Sequence, residues 1–181
     1  MKKMIFKLNN VFFALVVASM FFATNVSAQH QGDMAWGANL QVAGDATTLV
    51  GIGGTFQYHI TDPIRLEGSL SLFLPNRQTT GLIETTLNMW NLSVNGHFLL
   101  PLTENVTFYP LLGLGIANIS ATRTGGFWGT TTASQNYLGL NIGAGIDFRI
   151  SESTVINFEP RYLVTSAGNI HSVRIGVSFE F

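Results

Sequence analysis

The chain has 181 residues, no cysteine and a formal net charge of −1 at pH 7, with 10 % of its side chains charged. Without thiols it can form neither a disulfide nor a thiolate metal site, and its length suits a single domain. With no basic surplus, nucleic acid is excluded as a partner.

Residues 1–7 hold all three lysines and no acid, and the apolar run 11–23 leads to Val26, Ser27 and Ala28. Charged, apolar and small-residue segments in that order make a secretory signal, predicted as residues 1–28 with cleavage after Ala28. The run is shorter than the ~20 apolar residues a membrane-spanning helix needs. Gln29 rather than a cysteine follows the cut, so no lipid anchor is expected there. The domain that remains, residues 29–181, keeps six of the nine basic residues against ten acids, a formal charge of −4.

From residue 34 onward no helical period is found. Two-residue alternation recurs instead, in segments bounded by turn residues, which is the mark of half-buried strands. Eight strands are predicted, over 34–43, 49–60, 64–74, 85–100, 106–119, 136–150, 155–165 and 170–181. In the sixth, Leu138, Leu140, Ile142, Ala144, Ile146 and Phe148 oppose Gly139, Asn141, Gly143, Gly145, Asp147 and Arg149. The eighth sets Val173, Ile175, Val177, Phe179 and Phe181 against Ser172, Arg174, Gly176, Ser178 and Glu180. Connections alternate between tight turns at 61–63, 101–105 and 151–154 and longer ones at 75–84 and 120–135. Short against long is the habit of outer-membrane barrels, whose short turns are periplasmic. An up-and-down order puts both termini on the short-turn side, with no room for a plug domain before the barrel or a peptidoglycan-binding domain after it. Pro110 and Pro160 fall inside predicted strands, where a missing N–H would interrupt a closed ladder, so bulges are expected at both.

Alternation does not say which face points out, since a lipocalin-like barrel alternates too. Charge decides it. All eight charged side chains within the segments, Arg65, Glu67, Asp147, Arg149, Glu159, Arg161, Arg174 and Glu180, share the parity of the glycine, serine and asparagine set. A water-facing surface would be crowded with lysine and glutamate, so this sparse polar face reads as an interior and the uncharged face as the lipid band. Trp36, Tyr58, Phe98, Phe108, Phe148, Phe158, Phe179 and Phe181 lie on the apolar parity near the short turns and are expected to form an interfacial girdle. The fold predicted is therefore all-β, an eight-stranded antiparallel up-and-down transmembrane β-barrel behind a cleavable signal peptide.

An eight-stranded barrel is just wide enough for its inward side chains to fill. The eight charged residues are expected to pair across strands in a lumen ion network joined by Gln57, His59, Asn95, His97 and Tyr109. Read as an acid and base pair, the same carboxylates would be catalytic, but the structural reading is preferred. Glycines at 51, 53, 113, 115, 143 and 145 repeat at period two with no helix after them, so they make room for large side chains rather than bind phosphate. His30, His59, His97 and His171 show no zinc-ligand spacing, and neither metal nor cofactor is expected.

The ending from Val173 to Phe181, alternating and closing on phenylalanine, resembles the terminal signal of outer-membrane barrels. With the leader and the meander, the chain is identified as a member of the outer membrane protein β-barrel domain family, similar to the small barrels of the OmpX and OmpA type in Gram-negative envelopes. The resemblance implies an outer-membrane location, lipid around the barrel, and recognition of Val177, Phe179 and Phe181 by the barrel assembly machinery. It leaves the activity open. Some relatives act on lipid A, but the deacylase type places a His and a Ser two apart on the outer face, whereas His171 and Ser172 are adjacent. The palmitoyltransferase type needs an amphipathic helix before the first strand, and residues 29–33 are too few. The leading expectation is a non-enzymatic protein with a structural or surface-contact role through its long extracellular loops, Phe127 and Trp128 being the loop contact candidates. A narrow channel for small or apolar solutes is the alternative, and a lipid A-modifying enzyme the second.

Overall fold

A computed structural model describes residues 31–44, 48–125 and 129–181. The predicted leader, and with it His30, lies outside the described residues, as do Phe127 and Trp128. The strands are β1 (Met34–Ala43), β2 (Leu49–Thr61), β3 (Ile64–Phe73), β4 (Asn76–Thr80), β5 (Ile83–Phe98), β6 (Leu100–Thr103), β7 (Val106–Thr124), β8 (Thr130–Arg149), β9 (Thr154–Thr165) and β10 (Gly168–Glu180).

Eight of them close a ring, β1-β2-β3-β5-β7-β8-β9-β10, in which every neighbour is antiparallel and β10 returns to β1 with Leu40 opposite Ile175. Closure leaves the ring no edge, which hydrocarbon requires because it cannot satisfy a free backbone N–H or C=O. The two short strands are extensions: β4 pairs with β5 beyond the top of β3, and β6 continues β5 past Leu99.

Each wall strand keeps the two-residue period. In β3, Ile64, Leu66, Gly68, Leu70 and Leu72 are exposed, while Arg65, Glu67, Ser69, Ser71 and Phe73 are buried. Leucine outside and arginine inside is the reverse of a water-soluble barrel and matches a wall whose solvent is lipid. Leu40 is 64 % exposed and Arg174 is fully buried. The girdle sits on this outward face, with Trp36, Tyr58, Phe148, Phe158 and Phe181 exposed and Phe98, Phe108 and Phe179 partly covered. Trp36 and Phe179 touch across the β1–β10 seam, ring centres 5.0 Å apart.

Two expectations are corrected. No bulge occurs at either proline. The β7–β8 register runs unshifted through Pro110, and on its other side pairing stops after His97↔Leu111 and resumes at Leu100↔Phe108 in the same register. At Pro160 the β8–β9 ladder skips from Gly143↔Arg161 to Ile146↔Phe158, again without a shift. The missing N–H is met by a gap rather than by an inserted residue. Register shifts occur instead at His59/Thr61 and Pro101/Thr103, beside short turns.

The second correction concerns the long connections. Residues 75–84 and 120–135 are largely strand: β4 forms a hairpin with the start of β5, and β7 and β8 stay paired from Val106↔Phe148 up to Thr124↔Thr130. Their polarity explains why they read as loops. On the outward face Trp90, Ile116 and Leu138 give way, two residues further up each strand, to Asn88, Asn118 and Asn136, and the outward strand residues above these are polar: Arg77, Thr79, Glu84, Thr86, Ser120, Thr122, Thr124, Thr130, Thr132 and Ser134. The inward face becomes mixed, with Ile83, Leu87, Ile119, Ala121, Ala133 and Tyr137 set among Gln78, Thr85, Arg123, Thr131 and Gln135. The pleat is continuous but the medium is not. Such a switch fits strands that pass from hydrocarbon into water, and above it β4, β5, β7 and β8 continue as a four-stranded sheet.

Candidate functional site: the filled lumen and the projecting sheet

The lumen is built in layers. Nearest the short turns, Arg149 grips Glu180 with two hydrogen bonds of 2.7 and 2.9 Å and donates to the Glu152 carbonyl at 2.8 Å. This partly exposed rim pair stands apart from the other six predicted ions. Above it, Arg65 donates to Asp147 at 2.7 Å and to His97 Nδ1 at 3.1 Å. His97 stacks on Tyr109 with centres 4.6 Å apart, and the Arg65 guanidinium lies 4.9 Å from the centre of the same Tyr109 ring.

Arg174 is the centre of the next layer. It holds Glu67 with bonds of 2.8 and 2.7 Å and Glu159 with one of 2.6 Å. Gln57 donates to Glu67, the Tyr109 hydroxyl to Glu159, each at 3.1 Å, and Arg161 lies 3.7 Å from Glu159. Three guanidinium groups therefore face three carboxylates, all buried. Such a cluster is stable only when complete, since removing one partner strands a charge in a low-dielectric interior. Gly145 and Gly143 make it possible: a Cβ at 145 would clash with the hydroxyl end of the Tyr109 ring, and one at 143 would lie 2.8 Å from the Arg161 Cβ.

Of the bridging residues expected, Gln57, His97 and Tyr109 join the ions directly. Asn95 instead accepts from Asn141 at 2.9 Å, and the His59 Nδ1 faces the Asp33 carbonyl at 3.3 Å. Glu67, His97 and Glu159 present potential ligand atoms within 4.8 Å of one another. Arg174 already donates to both carboxylates, and the balanced charge offers a divalent cation no net attraction.

Over the ions lies a neutral polar layer, in which Ser71 donates to Gln41 at 2.7 Å and Ser93 to Asn91 at 2.8 Å. Over that is a feature the sequence reading missed: an apolar cap of Ala43, Leu49, Phe73, Met89, Ala117 and Leu163. These occupy the lumen parity where their strands approach the extracellular mouth, so they break the polar-inside rule at one common depth. A recess beneath the cap, among Gln41, Met89, Asn91, Asn141, Arg161 and Leu163, measures about 10 Å³. That is barely room for one water.

At the mouth, the inner face of the projecting sheet leans over a cleft of about 240 Å³ between Ile119 and Tyr137 on one side and Thr165, Ala167, Gly168, Asn169 and Ile170 on the other. The β9–β10 turn ends there, because β9 stops at Thr165 opposite Gly139. From 130 to 138, β8 is therefore paired with β7 alone among the described residues. His171 faces outward, edge-on to Tyr162 at 4.6 Å, while Ser172 is buried inside.

The architecture is shared with solved structures. Ail, the attachment invasion locus protein of Yersinia pestis, is 18 % identical, with 83 % of this chain and 99 % of that one aligned at a TM-score of 0.59. The N-terminal β-barrel domain of Pseudomonas aeruginosa OprF is 21 % identical over 84 % of this chain and all of that one, at 0.56. The outer membrane protein OprG of Pseudomonas aeruginosa is 16 % identical over 87 % and 99 %, at 0.53. At such identities the likeness speaks for fold alone. The sequence matches no curated protein. Residues 13–181 match the model of the outer membrane protein beta-barrel domain. The chain belongs to that family and is an outer membrane protein.

Proposed function

We propose that this barrel is non-enzymatic and acts by surface contact from its extracellular side, the wall serving as a filled and rigid base. The observation that carries the reading is the inversion of polarity at Asn88, Asn118 and Asn136, which lifts β4 and the upper parts of β5, β7 and β8 clear of the membrane above a lumen packed with ions and capped by Phe73, Met89 and Leu163. A packed lumen disfavours the channel alternative. The opposite orientations of His171 and Ser172 disfavour the lipid A deacylase arrangement. On this reading lipid covers the outward face, and the assembly machinery engages the C-terminal strand through Val177, Phe179 and Phe181. The contact surface is then the projecting sheet, with Phe127 and Trp128, which follow β7 and precede β8 in the sequence, as the contact candidates.

The test replaces residues 120–134 by a short glycine-serine turn between Ile119 and Gln135, which remain paired. The variant should keep a heat-modifiable barrel, and cells expressing it should lose adhesion relative to the parent chain. Undiminished adhesion would sink the proposal. Steady conductance in planar bilayers would favour the channel instead, and a mass change in lipid A on expression would favour the enzyme.

A further inference from the structure

We infer that the outward face of β7, β8 and β9 holds a recess for one acyl chain of an outer-leaflet lipid, and that the recess selects a chain bearing a hydroxyl group. The reason lies in the gap at Pro160. The Ile150 N–H donates to the Thr154 carbonyl at 2.9 Å, so residues of β8 with the parity of Ile150, Ala144 among them, turn their N–H and C=O toward β9. Opposite Ala144 stands Pro160, which has no N–H to give. The Ala144 carbonyl is therefore left without its strand donor, and no side chain among the described residues takes that place.

Depth turns this vacancy into a demand for a ligand. Ala144 lies between Phe148 in the lower girdle and Leu138 at the upper boundary, on the face that meets hydrocarbon. A bare carbonyl there has no water to turn to. The corresponding carbonyl of Phe98, opposite Pro110, is at the end of β5 within the girdle, where interfacial water is at hand.

The wall is hollow around the same carbonyl. Ala144 is the small floor of a recess of about 400 Å³, bounded by Phe108, Ile142, Phe158, Pro160 and Tyr162. Tyr162 meets His171 near the extracellular ends of β9 and β10, at the height of a lipid's polar end. From Tyr162 down to Pro160 the strand advances about 7 Å. A chain whose polar end rests by Tyr162 and His171 thus brings a hydroxyl on its first few carbons to the Ala144 carbonyl, with the rest lying over Phe108 and Phe158. The wall also carries a control. A wider hollow, about 730 Å³, lies over Ala38 and Gly54. There β1 is paired without interruption to both neighbours, so an apolar chain finds no free polar group.

The test places the full barrel, labelled with carbon-13 at its alanine carbonyls, in phosphatidylcholine nanodiscs whose chains carry no hydroxyl. Three fatty acids are titrated in turn: 3-hydroxytetradecanoic acid, 3-methoxytetradecanoic acid and tetradecanoic acid. The hydroxylated chain alone can donate. It should move the Ala144 carbonyl resonance in the direction of a new hydrogen bond, bind about tenfold more tightly than the other two, and leave Ala38 where it was. Pro160→Ala, in a barrel that stays heat-modifiable, restores the missing N–H. Its Ala144 carbonyl should be hydrogen-bonded before any addition, and the preference for the hydroxyl should vanish. Equal responses to the three acids, an Ala38 shift matching that of Ala144, or a hydroxyl preference that survives Pro160→Ala would overturn the inference. So would an Ala144 carbonyl in the parent barrel that is already hydrogen-bonded in plain lipid, by water or by Arg161.

Discussion

Within β8 a single strand obeys two opposite rules. Between Leu138 and Ile142 the outward side chains are leucine and isoleucine, with Asn141 buried inside; between Thr130 and Asn136 the outward ones are threonine, serine and asparagine, and the inner ones are Thr131, Ala133 and Gln135, with Tyr137 just below them. The backbone pairing with β7 does not change across the boundary. The pleat supplies two faces, and the surrounding medium decides which of them is apolar. Stability in the lower region comes from lipid outside and charge pairing inside, whereas the upper region has only the ladder, its cross-strand hydroxyl and amide bonds and a thin apolar face.

The largest break of this contrast should come from the ion layer. Arg174→Met leaves Glu67 and Glu159 buried without their shared partner and should cost about 3–5 kcal/mol in urea unfolding of the lipid-reconstituted barrel. Next is one substitution made twice on the outward face of β8. Leu140→Arg should cost about 2–4 kcal/mol at mid-depth, while Thr132→Arg should stay within about 0.5 kcal/mol, as for an ordinary surface site. Equal costs in that unfolding titration would mean that the boundary drawn at Asn118 and Asn136 is misplaced. Gly145→Ala drives a methyl group into Tyr109 and should cost about 1–3 kcal/mol by overpacking, visible as a lowered urea midpoint and altered Tyr109 fluorescence. Smallest is Arg149→Gln at the partly exposed rim, expected near 1 kcal/mol or below. A loss there as large as that of Arg174→Met would show that the rim pair and the buried layer are one unit.

The barrel and its lipid face were legible because charge obeys parity. Arg65 and Glu67, Glu159 and Arg161, and Arg174 sit two apart or alone on the same face as glycine and serine, and no soluble surface is so poor in lysine. The top of the molecule was hidden for the converse reason. Residues such as Thr122, Thr124, Thr130 and Thr132 put polar groups on the parity that lipid had made apolar, so a reading tuned to the lower wall took them for a loop. The cap left a signal that went unused: Leu49, Phe73, Met89 and Leu163 are apolar on the lumen parity, all near the extracellular ends of their strands. Cross-lumen partners were not readable at all. Asp147 meets Arg65, 82 residues away in sequence, because barrel width and side-chain length let them, and no spacing along the chain encodes that. That both prolines leave gaps instead of bulges likewise depended on neighbours that one strand does not reveal.

The seam between β1 and β10 also sets an order of events. Every other joint in the ring links segments close in sequence, but this one joins Ala35 to Glu180 and Met34 to Phe181. Its loop-closure entropy is the largest in the molecule, and nothing local can offset it early. Hairpins such as β7–β8 can zip as soon as their residues meet, yet the lumen charges cannot be enclosed until the first strand finds the last. Arg174 stands on that last strand. Its pair with Glu159 lies within the β9–β10 hairpin, but its bonds to Glu67 and the Arg65–Asp147 bond cross the lumen, so the salt-bridge layer is completed only by the step that closes the wall.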